Sequence, residues 1–393
     1  MNVEARALNV GPRRATRSML GVALAFGAMH VAVDAASVAV FTREGSTAVL
    51  GDGEAAWYQP GASWWGLYLL YAATAFGMQF PIGALVDRWQ IYRGAVLGAV
   101  GLLAAGVTIG HAAPVVAVVL AGLGNAFFHV GAGAIVLRLA PHRASAAGVF
   151  VGPGTIGLAL GVWLPRAYPD LCSGISLGLL AATTAIALSV GWISGAFQLS
   201  LDESPSPSYE ADRSTPGPLP IGAHLAVLCL VALLVSIGLR ATAGLAVGQV
   251  HQGEQSVFWG LAIAACAGKM SGGFIADRFG WLLTSVATLL LSMPLLSLLV
   301  DSGISAVAGM VLFQMTMPVA LTAVYRIFPR EPGLAFGLAS LALLVGAAFM
   351  LFLPDLLPRL HLALFVIILL SVPAVVVGLR PFQPRAHAPR GHA

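Results

Sequence analysis

Long apolar runs follow one another along almost the whole chain and constrain its fold more than any other feature. Each run holds about 20 mostly apolar residues, the length that a helix needs to cross a bilayer. Charged residues make up 9% of the sequence, whereas a soluble domain has roughly 25%. Lipid satisfies no backbone polar group, so runs of this length must be helices. We therefore predict an all-α integral membrane protein with twelve transmembrane helices, at residues 18–41, 61–85, 94–112, 115–139, 145–165, 174–198, 221–245, 255–276, 281–300, 303–325, 334–353 and 361–379.

One short motif occurs twice, after the second and after the eighth apolar run. Its aspartates, Asp87 and Asp277, are 190 positions apart, about half of the 393 residues. Each copy lies between two apolar runs at the same place in its half, so both halves enter the membrane from the same side. Such a repeat indicates two parallel halves related by an axis along the membrane normal.

A stretch rich in serine and proline, residues 200–220, separates the sixth run from the seventh. This composition is typical of a flexible linker. We therefore predict an N-terminal six-helix bundle at residues 1–199 and a C-terminal six-helix bundle, with a short cytoplasmic tail, at residues 221–393.

Arginine and lysine are distributed unequally between the two sides of the predicted helices. Fifteen of the 20 lie on the side that holds the N-terminus, three lie on the opposite side, and two, Arg240 and Lys269, fall inside helices. Cytoplasmic loops carry such an excess of positive charge. We therefore predict a multi-pass protein of the inner (plasma) membrane with both termini in the cytoplasm. We expect its basic residues to lie in the cytoplasmic loops rather than to bind nucleic acid.

Twelve helices in two halves, with a G-x-L-x-D-R turn after the second helix, resemble the major facilitator superfamily of transporters. The superfamily motif is approximately G-x-L-A-D-R-x-G-R-K, from which Gln90, Ile91 and Tyr92 depart. The resemblance implies a gating latch on the cytoplasmic side; the alternative is an ordinary charged loop. Asp87 could pair with a basic group or cap a neighbouring helix N-terminus. The gating residues that the resemblance assigns are Gly83, Asp87, Arg88 and Arg93 in the first copy and Gly273, Asp277 and Arg278 in the second.

The fourth and fifth runs indicate a subfamily. The fifth is similar to the G-x-x-x-G-P-x-x-G-G pattern of drug–proton antiporters, with Ile156 in place of one glycine. In the fourth, residues 122–129 (G-L-G-N-A-F-F-H) look like a segment of fosmidomycin-resistance-type efflux proteins. These likenesses imply export in exchange for protons. A glycine–proline run kinks a helix and allows close packing against a neighbour, and generic glycine-rich packing is the alternative for the fifth run. The antiporter-like pattern is carried by Gly148, Gly152, Pro153 and Gly157.

Ionisable residues inside the predicted helices are candidates for a transport site, because such groups are costly in a membrane. Asp34 lies in the first helix with His30 one turn before it, and Arg240 lies in the seventh helix. In the major facilitator architecture these two helices face each other across a central cavity, so we expect Asp34 and Arg240 to line it. Asp34, with His30 or His129, would be the proton-titrating group. Arg240 would attract an anionic substrate or pair with Asp34; the alternative is a structural ion pair or a snorkelling side chain.

Three further polar residues within helices belong to the same candidate pathway. Lys269 could face the cavity or extend its side chain to the cytoplasmic surface. Asn125 and Gln314 could bind substrate or bridge helices.

The chain lacks the sequence motifs of several other classes of protein. The chain has no H-E-x-x-H zinc motif, no paired aspartate-rich motifs and no phosphate-binding G-x-x-x-x-G-K-[ST] loop. We therefore expect neither an enzyme nor a cofactor or metal centre, and a duplicated latch argues against a channel or receptor. The sequence predicts a monomeric secondary transporter that exports a small organic molecule in exchange for protons by alternating access. The alternative is a proton-coupled importer or facilitator of a small organic anion, indicated by Arg240.

Overall fold

The structure, a computed structural model, describes residues 12–50, 62–193, 221–251, 253–351 and 360–383. Within these ranges the chain is helical, without a β-strand, and forms twelve helical spans, which we name α1 to α12. They are α1 (Pro12–Leu50), α2 (Ala62–Ala72, a π-helical turn Ala73–Gly77 and Gln79–Trp89), α3 (Tyr92–Ile109), α4 (Pro114–Leu139), α5 (Ala144–Val151 and Gly154–Ala167), α6 (Cys172–Ile193), α7 (Ala223–Val250), α8 (Gln255–Phe279), α9 (Trp281–Ser297), α10 (Gly303–Gln314 and Met317–Ile327), α11 (Pro332–Leu351) and α12 (Leu360–Leu379).

Eleven of these spans are long and apolar enough to cross a membrane. The twelfth, α9, is apolar but has only 17 residues. The predicted all-α fold and the order of its helices are thus confirmed, although helix ends differ by several residues. The largest difference is at α1, where the predicted span 18–41 lies inside a longer helix whose apolar part is Met19–Glu44.

Three spans that the hydropathy predicts as continuous are interrupted in the structure. The interruptions lie just before Pro81 in α2, at Gly152-Pro153 in α5 and just before Pro318 in α10. Proline lacks a backbone N–H, and its ring clashes with the carbonyl four residues earlier, so the helix must open or widen there. Hydropathy averages over these positions and does not register the breaks.

The spans pack as two groups of six. In the first group α1 packs against α4, α5 and α6, and α3 packs against α4. In the second, α7 packs against α12, and α8 and α9 pack against α10. The two groups meet along α2 with α11 and along α5 with α8. The predicted linker at 200–220 lies outside the described residues, so the predicted domain boundaries remain predictions.

Candidate functional site

Asp34 and three polar side chains around it form an almost completely buried cluster. The exposed fractions are 4% for Asp34, 4% for His30, 9% for His129 and 1% for Asn125. One carboxylate oxygen of Asp34, Oδ2, lies 3.2 Å from Nε2 of His30. The other, Oδ1, lies 3.7 Å from Nε2 of His129 and accepts a 2.8 Å hydrogen bond from Nδ2 of Asn125. We call His30, Asp34 and His129 the buried triad.

Backbone carbonyls orient both imidazole rings of the buried triad. Nδ1 of His30 lies 2.9 Å from the carbonyl oxygen of Phe150, in the last turn before the break in α5, where carbonyls lack helical partners. Nδ1 of His129 lies 2.9 Å from the carbonyl oxygen of Asn125, one turn earlier on α4. A carbonyl oxygen only accepts, so both Nδ1 atoms carry the hydrogen. Both Nε2 atoms therefore face Asp34 with a lone pair when the rings are neutral.

A chain of polar groups leads away from the triad along α1 and α2. Asn125 also donates to the hydroxyl of Ser37 at 3.1 Å, and this hydroxyl lies 3.0 Å from the hydroxyl of Tyr71. All three residues are buried. Oδ1 of Asn125 is buried and has no hydrogen-bond partner among the described residues.

Arg240 is buried in the second half and is bound by its own surroundings. Its guanidinium donates to the carbonyl of Ser236 at 3.3 Å, to the hydroxyl of Thr316 and to Sδ of Met317 at 3.4 Å. Thr316 and Met317 lie at the break in α10, which brings these acceptors toward α7. Among the ion pairs of the described residues, none joins Arg240 to Asp34, whose carboxylate faces the two histidines instead.

Lys269 and Gln314 lie in the second half, on α8 and α10. Lys269 is half-buried on α8, where this helix packs against α5. The amide of Gln314 lies 3.6 Å from Sδ of Met310 on its own helix. In the described part of the chain no hydrogen bond joins Gln314 to the triad.

Asp87 caps a helix of the opposite half. Its two carboxylate oxygens accept hydrogen bonds from the backbone N–H of Gly333, at 2.9 Å, and of Leu334, at 2.7 Å. These residues lie in the first turn of α11, where N–H groups lack helical partners and the helix dipole favours a negative charge. The hydroxyl of Tyr92 donates a further bond at 2.9 Å. We call this contact the first latch.

Asp277 makes the same contact in the opposite direction. Its carboxylate, at the end of α8, accepts from the backbone N–H of Ala144 at 2.8 Å and of Ser145 at 3.0 Å, in the first turn of α5. Nε1 of Trp281 donates to it at 3.1 Å. We call this contact the second latch. Each half therefore caps one helix of the other half, at the same end of the protein.

Glycine is required beside both latches. A Cβ atom on Gly83 would overlap the backbone carbonyl of Gly333, and one on Gly273 would lie 2.6 Å from the carbonyl oxygen of Ala144. The arginines of the motif have other environments: Arg88 and Arg278 are exposed, and Arg93 is half-buried. The aspartates and glycines of the two motifs thus form contacts between the halves.

Comparison with known proteins supports this architecture through structure alone. No protein-family model matches the chain, and no curated protein matches it. The E. coli fucose:proton symporter FucP matches over 94% of this chain and 99% of its own, with a TM-score of 0.61 and 13% identity. A structure of FucP, a major facilitator superfamily transporter, in the outward conformation matches over 91% and 99%, with a TM-score of 0.54 and 12% identity. A bacterial homologue of the iron transporter ferroportin, in an outward-facing state, matches over 93% and 100%, with a TM-score of 0.60 and 13% identity.

The chain has the major facilitator fold. Its apolar helices and this fold make it a multi-pass membrane protein. The likeness to fosmidomycin-resistance-type efflux proteins is not confirmed by these comparisons and remains a prediction.

Within the major facilitator fold, the glycine–proline pattern of α5 packs this helix between two neighbours. Gly148 and Gly152 face α8, where a Cβ on Gly148 would overlap the carbonyl of Lys269. Gly157 faces α1, where its Cβ would lie 2.9 Å from Cβ of Asp34. Pro153 lies at the break between the two parts of α5. The pattern thus sets the approach of α5 to the buried triad and to the other half.

Sequence reasoning missed several residues of the site. Ser37, Tyr71 and Thr316 have no sequence signal, because hydroxyl side chains are common packing residues in membrane helices. Tyr92 and Gly333 could have been found: Tyr92 lies within the first motif, five residues after Asp87, and Gly333 follows a proline that begins α11.

Proposed function

We propose that the protein is a secondary transporter that moves a small organic molecule by alternating access and exports it in exchange for protons. The observation that carries this proposal is the pair of reciprocal latches at one end of the two halves. Buried ionisable side chains lie farther along the helices, away from this end. Two contacts that close one end can be broken and re-formed as the halves rock about a central site.

The direction of closure follows from the charge distribution. We assign the latch end to the cytoplasm, because the arginine-rich loops lie there. The conformation with both latches formed is then closed toward the cytoplasm and faces outward. Its likeness to structures described as outward-facing supports this assignment.

Proton exchange and export are supported by separate observations. A fucose:proton symporter has the same fold, and protons are the coupling ion that we propose here. The glycine–proline pattern of α5, which places this helix between α1 and α8, supports export. The sequence-based assignment of the proton to Asp34 remains a prediction.

Import or facilitated movement of a small organic anion is a second candidate function. Arg240 is buried and Lys269 is half-buried in the second half, and no ion pair among the described residues joins either to a carboxylate. A guanidinium with a planar fork of donors is suited to bind a carboxylate or phosphate.

Transport in proteoliposomes tests both candidates. Purified protein is reconstituted with a pH-sensitive dye in the lumen and exposed to a panel of small organic anions and cationic drugs, with a chelator present throughout. We expect a substrate to move protons in the opposite direction to itself. Protons moving together with an organic anion would favour the second candidate. Movement of a substrate that ignores an imposed pH gradient would contradict proton coupling.

A further inference from the structure

Three donor atoms of the kinds that bind transition metals converge inside the first half. They are Nε2 of His30, Nε2 of His129 and a carboxylate oxygen of Asp34, and they lie within 4.8 Å of one another. No metal-binding motif predicts this convergence, because His129 is 95 positions from Asp34. Only the packing of α1 against α4 brings the three side chains together.

With hydrogens on both Nδ1 atoms, the triad presents only acceptor atoms to its centre, where a cation would be stabilised. Both Nδ1 atoms donate to backbone carbonyls, and a neutral imidazole has one donor and one acceptor nitrogen. Two lone pairs therefore point at the carboxylate of Asp34 from 3.2 Å and 3.7 Å. Buried acceptors facing one another without a hydrogen between them repel. A proton on one imidazole would serve one of these contacts, whereas a metal ion would serve all three donors.

The surroundings of the triad are those of a metal site. Histidine ligands usually donate their second ring N–H to a carbonyl or carboxylate, which fixes the tautomer and the ring orientation. The carbonyls of Phe150 and Asn125 accept these bonds here. The side chain of Asn125 also holds one oxygen of Asp34 at 2.8 Å, leaving the other beside His30.

We propose that His30, Asp34 and His129 form a binding site for a divalent transition-metal ion, with Zn²⁺, Co²⁺ and Fe²⁺ as the ions that this ligand set suits. Two imidazoles and one carboxylate are the ligands of many such sites. Donors about 2.0 Å from a tetrahedral ion lie about 3.3 Å apart, which is close to the 3.2 Å between Nε2 of His30 and Oδ2 of Asp34. Nε2 of His129 lies 3.7 Å from the other oxygen, Oδ1, and the three donor atoms lie within 4.8 Å of one another. Three protein ligands leave a coordination position for water or for an atom of the substrate.

Lys269 gives the proposal a sharp internal control. It lies on α8, where the Lys269 backbone packs against Gly148 of α5, two residues before the Phe150 carbonyl that orients His30. A cation bound by the triad is repelled by this ammonium, so removal of the charge should strengthen metal binding, roughly severalfold. Loss of any triad side chain should weaken it instead.

Metal binding to the full-length protein in detergent tests the proposal without reference to transport. Protein purified without a polyhistidine tag and stripped with a chelator is titrated with Co²⁺, followed by visible absorption, and then with competing Zn²⁺. We expect one bound ion in the wild type and at least about a tenfold loss of affinity in Asp34→Asn, His30→Gln and His129→Gln. Asn125→Ala should weaken binding about 10- to 100-fold, and Lys269→Gln should strengthen it.

A matched control is available at the surface. His361 and Asp301 form an exposed pair at 3.3 Å, so His361→Gln reports on adventitious surface binding and should leave the high-affinity ion in place. The proposal is overturned if wild type and Asp34→Asn bind Co²⁺ equally, or if His361→Gln removes the bound ion. Opposite shifts in Asn125→Ala and Lys269→Gln cannot arise from misfolding. Transport in the presence of a chelator is measured separately, so failure of either proposal leaves the other to stand on its own result.

Discussion

The carboxylate of Asp87 accepts the backbone N–H of Gly333 at 2.9 Å, although the two residues are 246 positions apart. Asp277 caps α5 from the opposite half in the same way. Because the two contacts cross the interface in opposite directions, the end that bears them can open only when both are broken. Each cap is a negative charge at a helix N-terminus, a contact of moderate strength. The two caps therefore stabilise the closed state but still allow it to open.

Replacing Asp87 by alanine should weaken the closed latch end. Loss of a helix cap costs about 0.5–2 kcal/mol, and 1 kcal/mol corresponds to about a fivefold change in population. We expect the ends of α2 and α8 to spend more time apart. Spin labels at Trp89 and Phe279, which are 59% and 60% exposed, would report this as a longer distance distribution in electron paramagnetic resonance. Asp87→Asn, which keeps a capping side chain, is the control; equal distributions in wild type and Asp87→Ala would contradict the latch.

The two latches should act independently on one equilibrium. They lie at different helix pairs and share no residue, so their free energies should add within about 0.5 kcal/mol. Asp277→Ala alone should therefore shift the same distance distribution as Asp87→Ala, and the double variant should shift it by the product of the two factors. A double variant that behaves like either single variant would show that only one latch holds the closed state.

The fold could be predicted from the sequence because its signals are local. A run of about 20 apolar residues is a span wherever it occurs, and the two Asp-Arg motifs mark corresponding turns. The glycine–proline run predicts the kink in α5, but the breaks in α2 and α10 were not predicted, since hydropathy does not record where a proline removes a hydrogen bond. Pro318 illustrates the consequence: the break before it presents Thr316 to Arg240.

The candidate site could be predicted only where its residues share a helix. The pairing of His30 with Asp34 follows from their spacing of one turn. The approach of His129 depends on how α4 packs against α1, and no sequence period records that packing. Arg240 lies in the helix that the repeat assigned to the opposite side of the cavity, yet its contacts are with α10 and its own helix rather than with Asp34.

A methyl group at Gly83 should prevent closure sterically. Its Cβ would overlap the backbone of Gly333, and backbone atoms at a packed interface cannot move aside cheaply. We expect Gly83→Ala to lower the transport rate at least about tenfold, with normal expression and helix content. Gly98→Ala in α3 is the matched control, because nothing lies within 4 Å of its Cβ position. Equal transport rates in the two variants would show that α2 and α11 need not approach this closely.

Replacing Arg240 should separate the two candidate functions. If an organic anion binds the guanidinium, Arg240→Met removes charged hydrogen bonds worth about 1.5–3 kcal/mol, equivalent to about a 10- to 150-fold loss of affinity. Arg240→Lys keeps the charge without the planar fork and should retain part of the affinity. Competition by unlabelled anions against a transported tracer would give these affinities in proteoliposomes. A transported substrate whose affinity is unchanged in Arg240→Met would restrict this residue to holding α7 against Thr316 and would leave export of an uncharged or cationic molecule as the favoured function.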